Sequence, residues 1–93
     1  MQSIVQDELE DRCFLCGSTT WLERHHCIGG SYRKLSDRYG LTVKLCHRCH
    51  NEPPIGVHFN KDAATYLRQA AQKAFEEKYS HDEFLRVFGR NFL

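Results

Sequence analysis

Two Cys-x-x-Cys pairs constrain this 93-residue chain more than any other feature of its sequence. Cys13 and Cys16 form the first pair, and Cys46 and Cys49 form the second. A chain of this length buries too little apolar surface to be comfortably stable without a crosslink. The two pairs therefore predict where the fold is crosslinked. The length of the chain predicts one small domain.

Disulfides and a bound metal ion are the two ways in which these cysteines can crosslink the chain. Residues 1–11 are acidic and lack the basic start and apolar run of a signal peptide, and the cysteine count of five is odd. Without an export signal, we expect a cytoplasmic protein, in which paired Cys-x-x-Cys motifs favour zinc. Four thiolates leave no open coordination position, so the sequence predicts a structural zinc site at Cys13, Cys16, Cys46 and Cys49.

Residues 13–58 also contain further candidate metal-binding residues, among them His25, His26, Cys27, His50 and His58. We expect Cys27 to be a small buried hydrophobic residue, because the sequence indicates no environment that would stabilise its thiolate. Two adjacent histidines shortly before a Gly-Gly turn indicate a strand end, where both side chains can reach one site. The four histidines together predict a second metal site and a general base.

The pattern of apolar residues predicts an α+β domain. Alternating and β-branched residues predict strands over 19–26 and 41–45. A short helix is expected within 32–39, and Gly40 ends it. The second cysteine pair should open another short helix, which the two prolines that follow it end.

Two helices are predicted in the last third of the chain. Asn60 caps a helix over 61–79, whose apolar residues recur at helical spacing. Ser80 opens a capping box for a last helix, which Gly89 ends. We expect these helices to pack on the core, although their large apolar side chains could instead form a homodimer surface. The chain thus divides into three parts: an N-terminal arm (1–12), a zinc-bound core (13–60) and a C-terminal helical extension (61–93).

Charge is distributed unevenly along a chain whose formal net charge is only +1. Acidic residues collect in the N-terminal arm and the C-terminal helices, whereas basic residues collect in the middle of the chain. A basic middle predicts a phosphate-facing surface, and a solvated surface face is the alternative. No apolar run reaches transmembrane length, so we expect no membrane partner.

The order strand, His-His, turn, strand, Leu-Cys-x-x-Cys-His resembles the HNH nucleases, in the variant of their ββα-metal fold that has a four-cysteine zinc site. The segments HHCIGGSYRKLSDRYGLTVKLC and GVHFN are also similar to small HNH-type proteins carried by phages and prophages. This resemblance covers residues 13–58, about half of the chain. It implies a small zinc-stabilised ββα-metal core followed by the C-terminal helices.

The resemblance also implies roles for single residues. His25 would be a ligand of a catalytic divalent metal, and His26 would be the general base. His50 would be a second metal ligand, and His58 a third if the loop that contains the two prolines folds back. Leu41 stands where the family has an asparagine that holds the loop between the strands.

The implied activity is that of a metal-dependent DNA endonuclease or nickase, encoded by a phage or prophage and acting in the cytoplasm of a bacterial host. His26 would take a proton from the attacking water, beside one divalent ion that binds the scissile phosphate. The ion would be Mg²⁺ or Mn²⁺, or else Zn²⁺ or Ni²⁺. DNA is the implied partner, with a second copy of the chain or a recombination or replication protein as further candidates. The candidate phosphate contacts are Arg24, Arg33, Lys34, Arg38 and Arg48.

Two other interpretations of these residues stay open. One is a catalytically inactive module with the same fold, stabilised by zinc, that binds DNA or a host protein. The missing asparagine and the inserted prolines favour this module. The intact His25-His26 pair argues against such a module, because a binding protein needs no adjacent histidines there. A zinc-ribbon or protein-interaction domain would account for the cysteines but not for the four histidines together.

Overall fold

A computed structural model describes residues 2–93, and a two-stranded antiparallel hairpin lies at its centre. Strand β1 spans Leu22–His26 and strand β2 spans Thr42–Cys46, with Leu22 paired to Cys46 and His26 paired to Thr42. The expected α+β class is confirmed. β1 begins later than predicted, because Trp21 adopts a positive φ of 50° that interrupts extended backbone.

The segment between the strands contains a single 3-10 turn, Gly30–Tyr32, and helix α1, Arg33–Tyr39. Gly40 ends α1 in the left-handed conformation with a φ of 72°, as the sequence predicts. The buried Ser36 hydroxyl donates a hydrogen bond of 2.7 Å to the carbonyl of Ile28. The Ser36 carbonyl accepts a hydrogen bond from the amide of the fully buried Leu41. Ser36 therefore ties both ends of this segment together.

Helix α2, His47–Asn51, begins directly where β2 ends. The chain then loops back, so that the amide of Val57 donates to the carbonyl of Cys49 at 2.8 Å. Gly56 lies against the backbone of α2, and a Cβ there would come within 2.7 Å of the Glu52 nitrogen. Only glycine permits this close approach, and it allows the chain to turn back toward the hairpin.

The C-terminal helices begin and end as the local signals predict. Helix α3 spans Lys61–Lys78, and the Asn60 side chain accepts hydrogen bonds from the first turn. Helix α4 spans His81–Phe88, with Ser80 as its N-terminal cap and Gly89 at its end with a φ of 69°. Among the described residues, no helix is long and apolar enough to cross a membrane.

An aromatic cluster joins these helices to α1. Tyr39 of α1 packs edge-on against Phe75 of α3, with ring centroids 5.3 Å apart. Phe84 and Phe88 of α4 complete the cluster, and their centroids are 4.7 Å apart. Since full burial of one such side chain contributes about 1.5–3 kcal/mol, these contacts are enough to hold α3 and α4 on the rest of the fold.

The N-terminal arm lies along β2 and has no helix among its described residues. The Ser3 hydroxyl donates to the carbonyl of Thr42, and the Gln6 side chain accepts a hydrogen bond from the Lys44 amide at 2.7 Å. Gln6 is buried, and its amide group also donates to the carbonyl of Arg12. The arm therefore satisfies backbone groups that would otherwise be exposed on the edge of β2.

Candidate functional site

The four paired cysteines come together at one end of the hairpin. One sulfur from each of Cys13, Cys16, Cys46 and Cys49 lies within 4.8 Å of the others. The sulfurs of Cys16 and Cys46 are 3.6 Å apart, close to the separation of about 3.8 Å that a tetrahedral zinc–sulfur site requires. None of the five cysteines forms a disulfide. The cluster can hold a structural zinc ion, as the sequence predicts.

Backbone hydrogen bonds and neighbouring sulfurs shift the pKa values of two cysteines in this cluster. Burial opposes ionisation of Cys13, but hydrogen bonds from the amides of Cys16, Cys46 and Leu15 outweigh it and lower the pKa of Cys13 to about 7. Burial and the neighbouring sulfurs raise the pKa of Cys49. The neighbouring sulfurs thus oppose ionisation of Cys49, and a bound dication removes this penalty.

A second cluster consists of three imidazoles. His25 lies on β1, His50 on α2 and His58 in the loop that returns to the hairpin. One ring nitrogen from each lies within 4.8 Å of the other two. The ring centroids of His50 and His58 are 4.8 Å apart, and that of His25 lies 5.2 Å from His50 and 5.6 Å from His58. The loop at Gly56 therefore brings His58 to the other two histidines, and the cluster can hold a metal ion.

The surroundings keep two of these imidazoles neutral. Burial, followed by the neighbouring rings of His50 and His58, lowers the pKa of His25 to about 3. Burial and His50 also lower the pKa of His58. A metal ion binds only the neutral form of an imidazole, so both side chains have the protonation state of a ligand at neutral pH.

Glu23 lies behind this cluster. One carboxylate oxygen lies 2.8 Å from Nδ1 of His50, and the other lies 2.9 Å from Nδ1 of His47. The His47 ring in turn stacks on Trp21, with centroids 4.3 Å apart. Occupation of Nδ1 leaves Nε2 of His50 available as a ligand atom. A carboxylate that orients a metal-binding histidine in this way is a common feature of metal sites in proteins.

His26 stands apart from the three-imidazole cluster and has a different carboxylate partner. Its Nε2 lies 2.8 Å from Oδ1 of Asp37 on α1, and its side chain is 16% exposed. Glu23, three positions before His26 in the sequence, contacts His47 and His50 instead. The Asp37 contact leaves Nδ1 of His26 free to accept a proton.

All four histidines line one open cleft of about 890 Å³. Of the predicted phosphate contacts, Arg24 and Arg33 also line this cleft. Three others are exposed but lie outside its lining: Lys34, Arg38 and Arg48. Three basic residues of the C-terminal region line it instead: Lys61, Arg68 and Arg90. No acidic side chain within residues 2–93 lines the cleft.

Comparison of this chain with protein-family models, with curated proteins and with solved structures finds no match. A function is therefore inferred from the two clusters, from His26 and from the basic cleft that the four histidines line.

Zinc content provides a test of the cysteine cluster. We expect Cys13→Ser to lose the bound zinc and much of the thermal stability, since structural zinc supplies folding free energy. Cys27→Ala is the matched control, because Cys27 is a buried cysteine outside the cluster. Both changes are made in a His25→Ala background, so that the imidazole cluster is incomplete, and zinc is measured by elemental analysis. Unchanged zinc content in Cys13→Ser would contradict the assignment.

Proposed function

We propose that this protein is a metal-dependent DNA endonuclease or nickase of the HNH type. The observation that carries the proposal is the cluster of His25, His50 and His58 beside an independently oriented His26, in a cleft lined by basic side chains. Three imidazoles and a neighbouring base are the groups that metal-assisted hydrolysis requires. The basic cleft favours a substrate with phosphate groups.

The order of the elements supports the same proposal. A hairpin is followed at once by a short helix, with His25 on the first strand and His50 on the helix. In the HNH resemblance these are the metal-binding positions of a ββα-metal core, and the four cysteines form its structural zinc site. We also propose that the protein acts in the cytoplasm of a bacterial host and is encoded by a phage or prophage, as the resemblance implies.

The three imidazoles of the cluster would hold one divalent ion. When bound, the ion supplies positive charge that stabilises the phosphate oxygens and the leaving oxygen during hydrolysis. Imidazole ligands favour Zn²⁺ or Ni²⁺ by affinity, whereas Mg²⁺ and Mn²⁺ are the ions usual in phosphoryl chemistry. Glu23 keeps His50 in the orientation that a ligand needs.

His26 acts as the general base. The Asp37 carboxylate accepts a hydrogen bond from Nε2, which places the proton of the neutral ring on that nitrogen. Nδ1 then has a free lone pair and takes the proton of the attacking water. The aspartate thus holds the ring in the productive tautomer and orientation. Arg24 and Arg33 bind neighbouring phosphates, which gives affinity without sequence specificity.

Cleavage of supercoiled plasmid tests this assignment directly. With Mg²⁺, Mn²⁺, Ni²⁺ or Zn²⁺ added singly, we expect the wild-type protein to nick or cut the plasmid with at least one ion. His26→Ala should lose about 10²–10⁴-fold in rate while it still binds DNA, because a general base contributes about that much. Asp37→Asn should lose less than His26→Ala, since it disturbs only the orientation of the base.

His81→Ala is the matched control, because His81 also pairs with a carboxylate but lies outside the lining of the cleft. Cleavage at the wild-type rate by His26→Ala would contradict the role of the base. If the zinc-loaded protein binds DNA but cuts with none of the four ions, a silent binding module becomes the better interpretation.

The contact between Glu23 and His50 gives a separate prediction about metal affinity. In Glu23→Gln, we expect the affinity of the imidazole cluster for Ni²⁺ to fall about 10–100-fold, because His50 loses the carboxylate that orients it. Isothermal titration calorimetry measures the affinity of protein in which the cysteine cluster already holds zinc. The control is Glu77→Gln, which removes the same charge from an exposed position on α3. Equal Ni²⁺ affinities in the two variants would show that Glu23 has no positioning role.

A further inference from the structure

Two arginines outside the HNH-like motif lie in the cleft without a charged partner. Arg68 of α3 and Arg90, which follows α4, both line the cleft that contains the four histidines. Within residues 2–93 neither side chain forms an ion pair or a hydrogen bond, whereas Arg24 pairs with Glu8. Uncompensated guanidinium groups in a concave surface create a positive potential that attracts phosphate.

The aromatic ring of Phe92 lies next to both guanidinium groups. Its centroid is 5.3 Å from Cζ of Arg90 and 5.9 Å from Cζ of Arg68. A guanidinium over an aromatic ring is held in place while its N–H groups stay free to donate. Phe92 therefore helps to keep the two cations near each other despite their mutual repulsion.

Two glutamine side chains of α3 anchor the tail that contains Phe92. The Gln72 side chain is fully buried; its oxygen accepts a hydrogen bond of 2.7 Å from the Phe92 amide, and its nitrogen donates to Asn91 at 2.7 Å. The Gln69 side chain donates to the Phe92 carbonyl at 2.9 Å. A buried glutamine stabilises a fold only when its hydrogen bonds are satisfied, so Gln72 holds the tail in one defined position on α3.

Arg68 also lies close to the metal-binding cluster. It lines the same cleft as His25, His50 and His58. A DNA backbone that enters this cleft can therefore contact Arg68 while another of its phosphates lies at the imidazole cluster.

We propose that Arg68 and Arg90 form a phosphate clamp, which binds the DNA backbone beside the phosphate that is cleaved. This inference rests on the proposed function and extends it, because it makes the C-terminal helices part of the DNA interface as well as a structural support. The clamp recognises the charge of a phosphodiester backbone and carries no sequence preference. It also gives a role in recognition to the tail that Gln72 holds on α3.

The salt dependence of DNA binding tests the clamp. Binding of a fluorescently labelled DNA duplex is measured by anisotropy over a series of salt concentrations, in the His26→Ala background so that the duplex stays intact. Each of Arg68→Gln and Arg90→Gln should reduce the slope of log affinity against log salt by about one, and the double variant by about two. Arg68→Lys and Arg90→Lys should largely keep the slope, because they keep the charge.

Lys73→Gln is the matched control, since it removes one positive charge from the same helix outside the lining of the cleft. A double variant with the slope of Lys73→Gln would overturn the clamp, even if the wild-type protein cleaves DNA. A reduced slope in a protein that never cleaves DNA would support the clamp and reject the nuclease. A protein that neither binds nor cleaves DNA would reject both. If Arg68→Gln lowers stability, Arg90→Gln at its exposed position decides the test alone.

Discussion

The rest of the structure depends on the four sulfurs that meet at the end of the hairpin. Cys46 is the last residue of β2 and Cys49 lies in α2, so the cluster determines how the strand turns into the helix. His50 follows Cys49 directly, so a metal ion bound by the cysteines would also fix the position of His50 on α2. Structural zinc in small domains contributes about 10–16 kcal/mol, comparable to the whole stability of about 5–15 kcal/mol of a typical domain. In a chain this small, a zinc ion bound there would dominate the stability.

Two different carboxylates contact His50 and His26. Glu23 holds His50, whereas Asp37 on a different element holds His26. Adjacent residues on β1 consequently have different environments: His25 is buried among imidazoles, and His26 faces a carboxylate at the edge of the cleft. This separation gives a physical basis for the proposed division into a metal ligand and a base.

The features that the sequence predicts well depend on local chemistry. Helices α3 and α4 lie within one residue of their predicted ends, because their capping residues act over three or four positions. The spacing of the cysteines likewise predicts a cluster, since each pair needs only one turn. The gathering of His25, His50 and His58 was suggested by the HNH resemblance, and the sequence left open whether His58 would fold back.

Long-range contacts account for what the sequence did not predict. The partner of His26 is Asp37, eleven positions away, and no periodic pattern distinguishes it from other surface acids. Arg90 reaches the cleft because the tail docks through Gln72, a polar residue within the buried face of α3. Ser36 closes the loop beside Leu41, where an asparagine is expected from the family.

The central claim is that the hairpin carries two distinct metal sites, one of sulfur and one of imidazole. Anomalous scattering from a crystal of the zinc-loaded protein soaked in Ni²⁺, recorded on both sides of the nickel and zinc absorption edges, tests it most directly. The account predicts a zinc peak among Cys13, Cys16, Cys46 and Cys49, and a separate nickel peak among His25, His50 and His58. A single peak at the cysteines, with the imidazoles empty at saturating Ni²⁺, would contradict it.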